Sequence, residues 1–181
     1  QDVLRDLATT DPLTGALNRR AFTEHFEQKM AAPPAERVLT LILLDVDHFK
    51  RVNDTHGHKV GDDVLKELVD VLQAQCRDED MLARFGGEEF CLLLSAPKKE
   101  VADSAAERLR EAVEQHRFDH VCDLTISLGY IAIDPSEPAS FGQWYSAADK
   151  ALYAAKTRGR NKVQRSHWRP APAEVVGDES Y

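Results

Sequence analysis

The chain has 181 residues, enough for one domain, and 43% of them are hydrophobic, enough for a real core at that size. A formal net charge of −8 and a pI near 5.4 exclude a nucleic-acid-binding surface, because phosphate backbones need a basic face. A small anionic ligand stays open, provided that a metal and local Lys or Arg offset its charge. The three cysteines, Cys76, Cys91 and Cys122, are odd in number and lack metal-like spacing; Cys91 lies in an apolar run and reads as a buried free thiol, which suits a reducing compartment. No apolar run reaches the length of a membrane span, and no signal peptide is expected at the start.

In chain order, Val3, Leu4 and Leu7 fall at helical spacing in a segment too short to stand alone, which reads as the end of a helix that began upstream. Asp11-Pro12-Leu13-Thr14-Gly15 is a turn. A helix is expected from Arg19 to Met30, with Phe22 and Phe26 on one face, ended by Pro33-Pro34. Val38 to Leu44 is apolar on both faces, the mark of a central strand, and it runs into Asp45-Val46-Asp47. Phe49 to Asp54 reads as a polar loop or helical turn. A helix from about Asp62 to Gln75 carries Val64, Leu65, Leu68, Val71 and Leu72 inward.

Met81-Leu82-Ala83, then Arg84-Phe85-Gly86-Gly87-Glu88-Glu89, then Phe90 to Leu94 draw a β-hairpin with glycines at its tip and two carboxylates directly after them. A helix follows from about Lys99 to His116, and a strand from Leu124 to Ile133. The last helix spans Phe141 to Thr157, with Gly159 as its stop signal, and Lys162-Val163-Gln164 is a short final strand. From His167 onward proline, alanine and acidic residues predominate, and disorder is expected. Together the elements predict an α+β fold with a mostly antiparallel central sheet flanked by helices.

If the strand ending at Asp45 neighbours the hairpin, Asp45 and Glu88 converge. With a backbone carbonyl such as that of Val46, these hard oxygen ligands suit Mg²⁺, whose usual work is to clamp phosphate oxygens in phosphoryl or nucleotidyl transfer. Lys50, Lys156 and Arg160 are candidate counter-charges for a triphosphate. No Gly-x-x-x-x-Gly-Lys-Ser/Thr loop is present. Asn53 and Asp62 are candidates for reading a base; a carboxylate matches the N1–H and N2–H donors of guanine and repels adenine's N1 acceptor. Plainer readings stand beside these. Asp45 and Asp47 can simply end a strand, and Lys156 with Arg160 can be a solvated helix end. A transition-metal site of His48, His56 and His58 with Asp45 and Asp47 matches no zinc spacing.

Five ordered motifs resemble one family. Asp11-Pro12-Leu13-Thr14-Gly15-Ala16-Leu17-Asn18-Arg19-Arg20 resembles the opening motif of GGDEF domains, the catalytic domains of bacterial diguanylate cyclases. Leu44 to Lys50, Asn53-Asp54, Gly57-His58 and Gly61-Asp62 resemble its second motif, and Arg84 to Phe90 its signature in the Glu variant. Ser127-Leu128-Gly129 and Asp149 to Lys156, with Gly159-Arg160-Asn161, complete the pattern. The resemblance covers nearly everything from Asp11 to Lys162.

It implies condensation of two GTP into cyclic di-GMP with release of two pyrophosphates, with Mg²⁺ or Mn²⁺ as cofactor. Asp45, the Val46 carbonyl, Glu88 and Glu89 would hold metal, with Asp45, Glu88 and Glu89 as the catalytic acids. Asn53 and Asp62 would contact guanine. Phe49, Lys50, Lys156 and Arg160 would meet the phosphates, and Gly86 and Gly87 would leave room for the nucleotide. The reaction needs two opposed nucleotides, so a homodimer is expected, driven by an upstream sensory domain. Arg77-x-x-Asp80 with Arg108 would form an allosteric product site. The expected division is an upstream signalling helix over 1–9, the cyclase domain over 10–166 and a tail over 167–181. A bacterial cytoplasmic setting follows, with no nucleic-acid or membrane contact by this domain, although the parent protein could be membrane-anchored. The alternative is a catalytically silent domain that binds GTP or cyclic di-GMP as a regulator.

Overall fold

The computed structural model describes residues 9–33 and 36–172. The helical stub expected at Asp2 to Ala8 and the last part of the expected tail lie outside them. One five-stranded sheet organises the rest, in the order β2-β3-β1-β4-β5. Its strands are β1 (Val38–Val46), β2 (Met81–Gly86), β3 (Glu89–Ala96), β4 (Ile126–Ile133) and β5 (Val163–Arg165). β1 pairs antiparallel with β3 on one side and β4 on the other, and β5 joins β4 in parallel. The position of β1 at the centre explains why it is apolar on both faces.

Strand alternation divides its side chains between two layers of helix. Ile42, Leu44 and Val46 face a core shared with Val64, Leu65 and Leu68 of α3 (His58–Ala74) and with Leu109 and Val113 of α4 (Lys99–Gln115). Leu39, Leu41 and Leu43 face the other way, onto Phe22 and Phe26 of α1 (Arg19–Ala31) and Trp144 and Leu152 of α5 (Phe141–Thr157). All six of these strand residues other than Val46 are fully buried, each contributing about 1.5–3 kcal/mol. Among the described residues no helix is long and apolar enough to cross a membrane.

Two local devices place the site. Gly129 of β4 lies under α5, where an added Cβ would sit 2.1 Å from the Leu152 backbone nitrogen and 2.4 Å from the Ala148 carbonyl oxygen. Only glycine lets α5 press so closely on the sheet, and α5 carries Lys156 to the end of β1. Ser140 caps α5 reciprocally with Gln143, so the start of that helix is also fixed. On the sheet's other flank the opening turn covers the edge of β2: the Leu17 N–H donates to the Leu82 carbonyl (3.1 Å), and the Arg84 N–H donates to the Leu17 carbonyl (2.9 Å).

The element boundaries differ in informative ways. Of the two readings of the stretch after Asp47, loop or helical turn, the helical one holds and runs further: it is α2 (Phe49–His56), and Phe49 is buried against the α3 side of the core. Gly57, at φ 87°, separates it from α3, which starts at His58 rather than Asp62. β2 runs on to Gly86, so the hairpin turns at Gly87 and Glu88 and Glu89 already opens β3. β4 starts at Ile126, two residues later than expected. Trp168, within the stretch expected to be disordered, packs edge-on against Trp144 with ring centroids 5.3 Å apart.

Candidate active site

The carboxyl end of β1 and the β2–β3 tip meet. Asp45 lies directly across from Glu89 on one side and from Ser127 on the other. The Val46 N–H donates to the Glu88 carbonyl at 3.3 Å, so Asp45, Val46, Glu88 and Glu89 form one neighbourhood. Gly87 holds φ 48°, which a β-branched residue would resist, and a Cβ on either Gly86 or Gly87 would meet nothing within 4 Å. The tip is thus open beside the acids.

The charges in this neighbourhood are unbalanced. The Lys156 ammonium donates to Asp45 Oδ2, while Asp45 Oδ1 is buried with no hydrogen-bond partner among the described residues. Burial pushes the Asp45 carboxyl up, Lys156 opposes this, and the charges of Glu88 and Asp149 add to the rise. Glu89 is likewise pushed up by burial and by Asp45 and Asp149, against a hydrogen bond from the Tyr145 hydroxyl. Burial and Glu89 in turn push the Tyr145 phenol up. An orphaned buried carboxylate oxygen beside further acids is costly as it stands. A divalent cation would relieve it, so the donor set fits one. Among the described residues no three His, Cys, Asp or Glu side chains are close enough to hold a metal by themselves. Asp45 and Glu88, with the Val46 carbonyl, would need further oxygens, from water or phosphate, to complete a shell. By the same observation, the constellation of His48, His56 and His58 with Asp45 and Asp47 is not assembled.

Asp47 has a different task. It is buried, and its carboxylate accepts from Thr125 Oγ1 (2.7 Å), Ser127 Oγ (2.6 Å) and the Asn161 N–H (2.9 Å). Both oxygens are thereby occupied. Arg160 and Asn161 turn through left-handed conformations at φ 63° and 46°, and Asp47 ties that turn to the end of β1. It therefore fixes where exposed Arg160 stands relative to Asp45.

Further side chains brace the hairpin. Arg84 Nε donates to the Gly87 carbonyl (2.9 Å), and its Nη1 pairs with Asp11 (3.2 Å). Burial works to raise the Asp11 carboxyl, but hydrogen bonds from Thr14 and the charge of Arg84 hold it below its usual range. Phe85 stacks on Tyr145 (5.8 Å, 15°), and the Arg19 guanidinium lies 5.1 Å from each ring centroid. None of these roles is legible from the local sequence around Tyr145. The available signal is the helical spacing of Tyr145, Asp149 and Lys156, which puts all three on one stripe of α5.

The residues expected to bind nucleotide lie on α2, α3 and the turn after α5. Asn53 sits over Gly61, where an added Cβ would come within 1.9 Å of its Oδ1, and Asp62, the next residue, is exposed. No side chain caps α2, which leaves first-turn amides at Phe49 and Lys50 for an anion. Phe49 itself is buried; Lys50 and Arg160 are exposed.

Arg77, Asp80 and Arg108 gather elsewhere, at the turn between α3 and β2. Asp80 accepts from the backbone N–H of Arg77 (2.8 Å) and of Ser95 (3.0 Å), and Arg108 donates to the Gln75 carbonyl (3.3 Å). An Arg77–Asp80 ion pair, the simplest reading of that turn, does not form. Between them the Cys76 thiol is pushed up to about 11 by burial, with Asp80 raising it further and Arg108 opposing.

A five-stranded sheet with acids at the end of its central strand and at a glycine hairpin defines a nucleotidyl-cyclase-like domain. The family model for the diguanylate cyclase GGDEF domain matches residues 8–162, and the chain belongs to that family. It is 42% identical over 164 residues to the diguanylate cyclase DgcP of Pseudomonas aeruginosa, covering 88% of this chain and 24% of DgcP. It is 41% identical over 171 residues to the probable diguanylate cyclase DgcT of Escherichia coli, covering 89% of this chain and 36% of DgcT. The chain thus spans only a quarter to about a third of the length of those relatives. Among solved structures it resembles the coiled coil and GGDEF domain of DgcB from Caulobacter crescentus in complex with c-di-GMP. The TM-score is 0.81 and the identity 32%, covering 91% of this chain and 89% of that one.

Proposed function

We propose that this chain is the catalytic part of a diguanylate cyclase, which joins two GTP into cyclic di-GMP and releases two pyrophosphates. The observation that carries this reading is the pairing of Asp45 with Glu89 across β1 and β3, with Asp45 Oδ1 buried and unpartnered. Asp45, the Val46 carbonyl and Glu88 would hold Mg²⁺ or Mn²⁺, with Glu89 beside them. Such a cation supplies the charge that clamps phosphate oxygens.

The chain's own residues do the rest. Asp62 accepts from the N1–H and N2–H edge of guanine, and Asn53 completes the base contact. The amides at Phe49 and Lys50 and the Lys50 side chain receive phosphate. Lys156 has two ammonium donors beyond the one on Asp45, and these with Arg160 neutralise the triphosphate. Gly86 and Gly87 leave the space the nucleotide occupies. The 3′-hydroxyl of one nucleotide attacks the α-phosphate of the other, a phosphodiester forms, and pyrophosphate leaves. Each chain supplies one acidic site and one phosphate site, so two copies related by a two-fold axis must face one another.

Arg77, Asp80 and Arg108 would bind the product and restrain turnover. The support is their meeting at one turn, with the Arg77 guanidinium free of hydrogen-bond and ion-pair partners among the described residues. Residues 10–166 are assigned to the cyclase, with a signalling helix before them and a tail after. A cytoplasmic setting follows from the GTP substrate.

The test is turnover of GTP with Mg²⁺, scored for cyclic dinucleotide and pyrophosphate over a range of protein concentrations. Specific activity is expected to rise with concentration as the dimer fills. Nucleotide binding without product at any concentration would replace this reading with that of a silent regulator.

A further inference from the structure

α2 has two working faces. Phe49 and Asn53 share one stripe and face the α3 side. His48, Arg51, Val52 and Thr55 fall at i, i+3, i+4 and i+7, and all of them line a separate cavity of about 470 Å³ between α2 and the loop leading into β4. His56 and, from that loop, His120 line it too. Val52 and buried Leu124 give it an apolar floor.

The polar lining is unusual for a chain of net charge −8. The side chains of His48, Arg51, His56 and His120 have no hydrogen-bond or ion-pair partner among the described residues. Two carboxylates also line the cavity and oppose an anion: Asp47 keeps its charge but has both oxygens occupied by the neutral donors of Thr125, Ser127 and Asn161, and Asp123 is exposed. An imidazole presents an N–H to an anion whether or not it is protonated, and Arg51 is always charged. A cavity with an apolar floor and a few convergent polar groups is the usual form of a small-molecule site.

We propose that this cavity binds a small organic anion, a carboxylate on an apolar body, with Arg51 and His120 holding the charge and Val52 and Leu124 the body. The rival occupant is a soft metal ion on His48, His56, His120 and exposed Cys122. Two observations disfavour it: the permanent charge of Arg51 faces the same space, and no three of these ligands are close enough to hold a metal. Because α2 also carries Phe49, Lys50 and Asn53, an occupant is coupled to the nucleotide site; that second part rests on the cyclase reading.

The binding test uses the whole chain, 4-(trifluoromethyl)benzoate as the probe and fluorine NMR. The benzoate signal is expected to broaden at millimolar concentration with the parent. At least tenfold weaker binding is expected with Arg51→Ala and with His120→Ala, and unchanged binding with Lys50→Ala. The neutral 4-(trifluoromethyl)benzamide is expected not to bind. Arg51 is exposed and without a partner among the described residues, so its variant should melt with the parent, which thermal unfolding checks. The site proposal is overturned by absent benzoate binding, by equal binding of the amide, by loss in Lys50→Ala rather than Arg51→Ala, or by zinc binding that needs Cys122 and displaces the probe. For the coupling, saturating benzoate is expected to shift the KM for GTP at least threefold in the parent and not in Arg51→Ala; an unchanged KM overturns it. A parent that turns over no GTP counts against the cyclase reading, and the NMR result still decides the cavity.

Discussion

The two ends of the β1–β3 pair are built on opposite rules. At the end where Val38 meets Ala96, the charged side chains of Arg37, Glu79 and Asp80 find partners. Arg37 donates through Nε to Ser95 Oγ (2.7 Å) and through Nη2 to the Ser95 carbonyl (3.0 Å), and it pairs with Glu79 (2.9 Å). Asp80 closes the network on two backbone N–H groups. At the other end, Asp45 and Glu89 face one another with a buried oxygen unsatisfied and both carboxyls pushed up. The same two strands thus carry one end optimised for folding and one left unfinished. The unfinished end is where a ligand has something to complete, and the eight residues of β3 separate the two by roughly 25 Å.

The largest effect expected from this contrast is at the acid end. Glu88→Gln removes one charge from a site that repels itself, so the apo protein's melting temperature is expected to hold or rise. Turnover is expected to fall well beyond tenfold, that is by more than about 1.4 kcal/mol of barrier. Steady-state rates and thermal melts on the same preparation check both halves. A variant within tenfold of the parent would remove Glu88 from the mechanism.

The satisfied end should respond the other way. Asp80→Ala strands the N–H groups of Arg77 and Ser95 and is expected to cost about 1–3 kcal/mol of stability by urea unfolding. Arg77→Ala, three residues away, removes a guanidinium with no partner among the described residues and should stay within about 0.5 kcal/mol of the parent. Its expected phenotype is relief of inhibition by cyclic di-GMP; equal product sensitivity in the two proteins would refute the assignment of Arg77.

The sequence made the acid end easy to find and the satisfied end hard. Asp45, Asn53, Asp62, Glu88, Lys156 and Arg160 stand in motifs whose order and spacing resemble one family, so a shared site could be expected before any coordinates; of these, Asp45, Glu88 and Lys156 are the ones that meet in one neighbourhood. The central place of β1 followed from its being apolar on both faces. What stayed hidden depends on distant backbone. Asp47 reads as one more acid at a strand end, yet its three donors come from Thr125, Ser127 and Asn161, about eighty to a hundred and fourteen residues on. Tyr145 stands in no motif of that pattern, and the closeness of α5 to Gly129 brings its hydroxyl to Glu89. α2 left loop and helical turn open because a short, polar stretch shows its helical character only once Phe49 has a core to enter.

The smallest effect sharpens the contrast most directly, because it needs no substitution. Asp45 and Glu89 have folded-state pKa values raised above 3.8 and 4.5. The native state therefore binds more protons than the unfolded chain just above those values, and this pair's contribution to stability falls as pH rises through that window. Above it, both acids are ionised at a cost that persists to neutral pH. A cation held between them favours the ionised forms, lowers both pKa values and removes that slope. Raising pH from 4 to 6 is thus expected to lose more stability without Mg²⁺ than with it. At pH 7, Mg²⁺ at ten times its dissociation constant is expected to add about 1.4 kcal/mol, with little gain in Glu88→Gln. The satisfied end offers no such site, so Asp80→Ala should keep the full Mg²⁺ increment on its lower baseline. An increment that survives Glu88→Gln intact would place the cation somewhere other than between β1 and the hairpin.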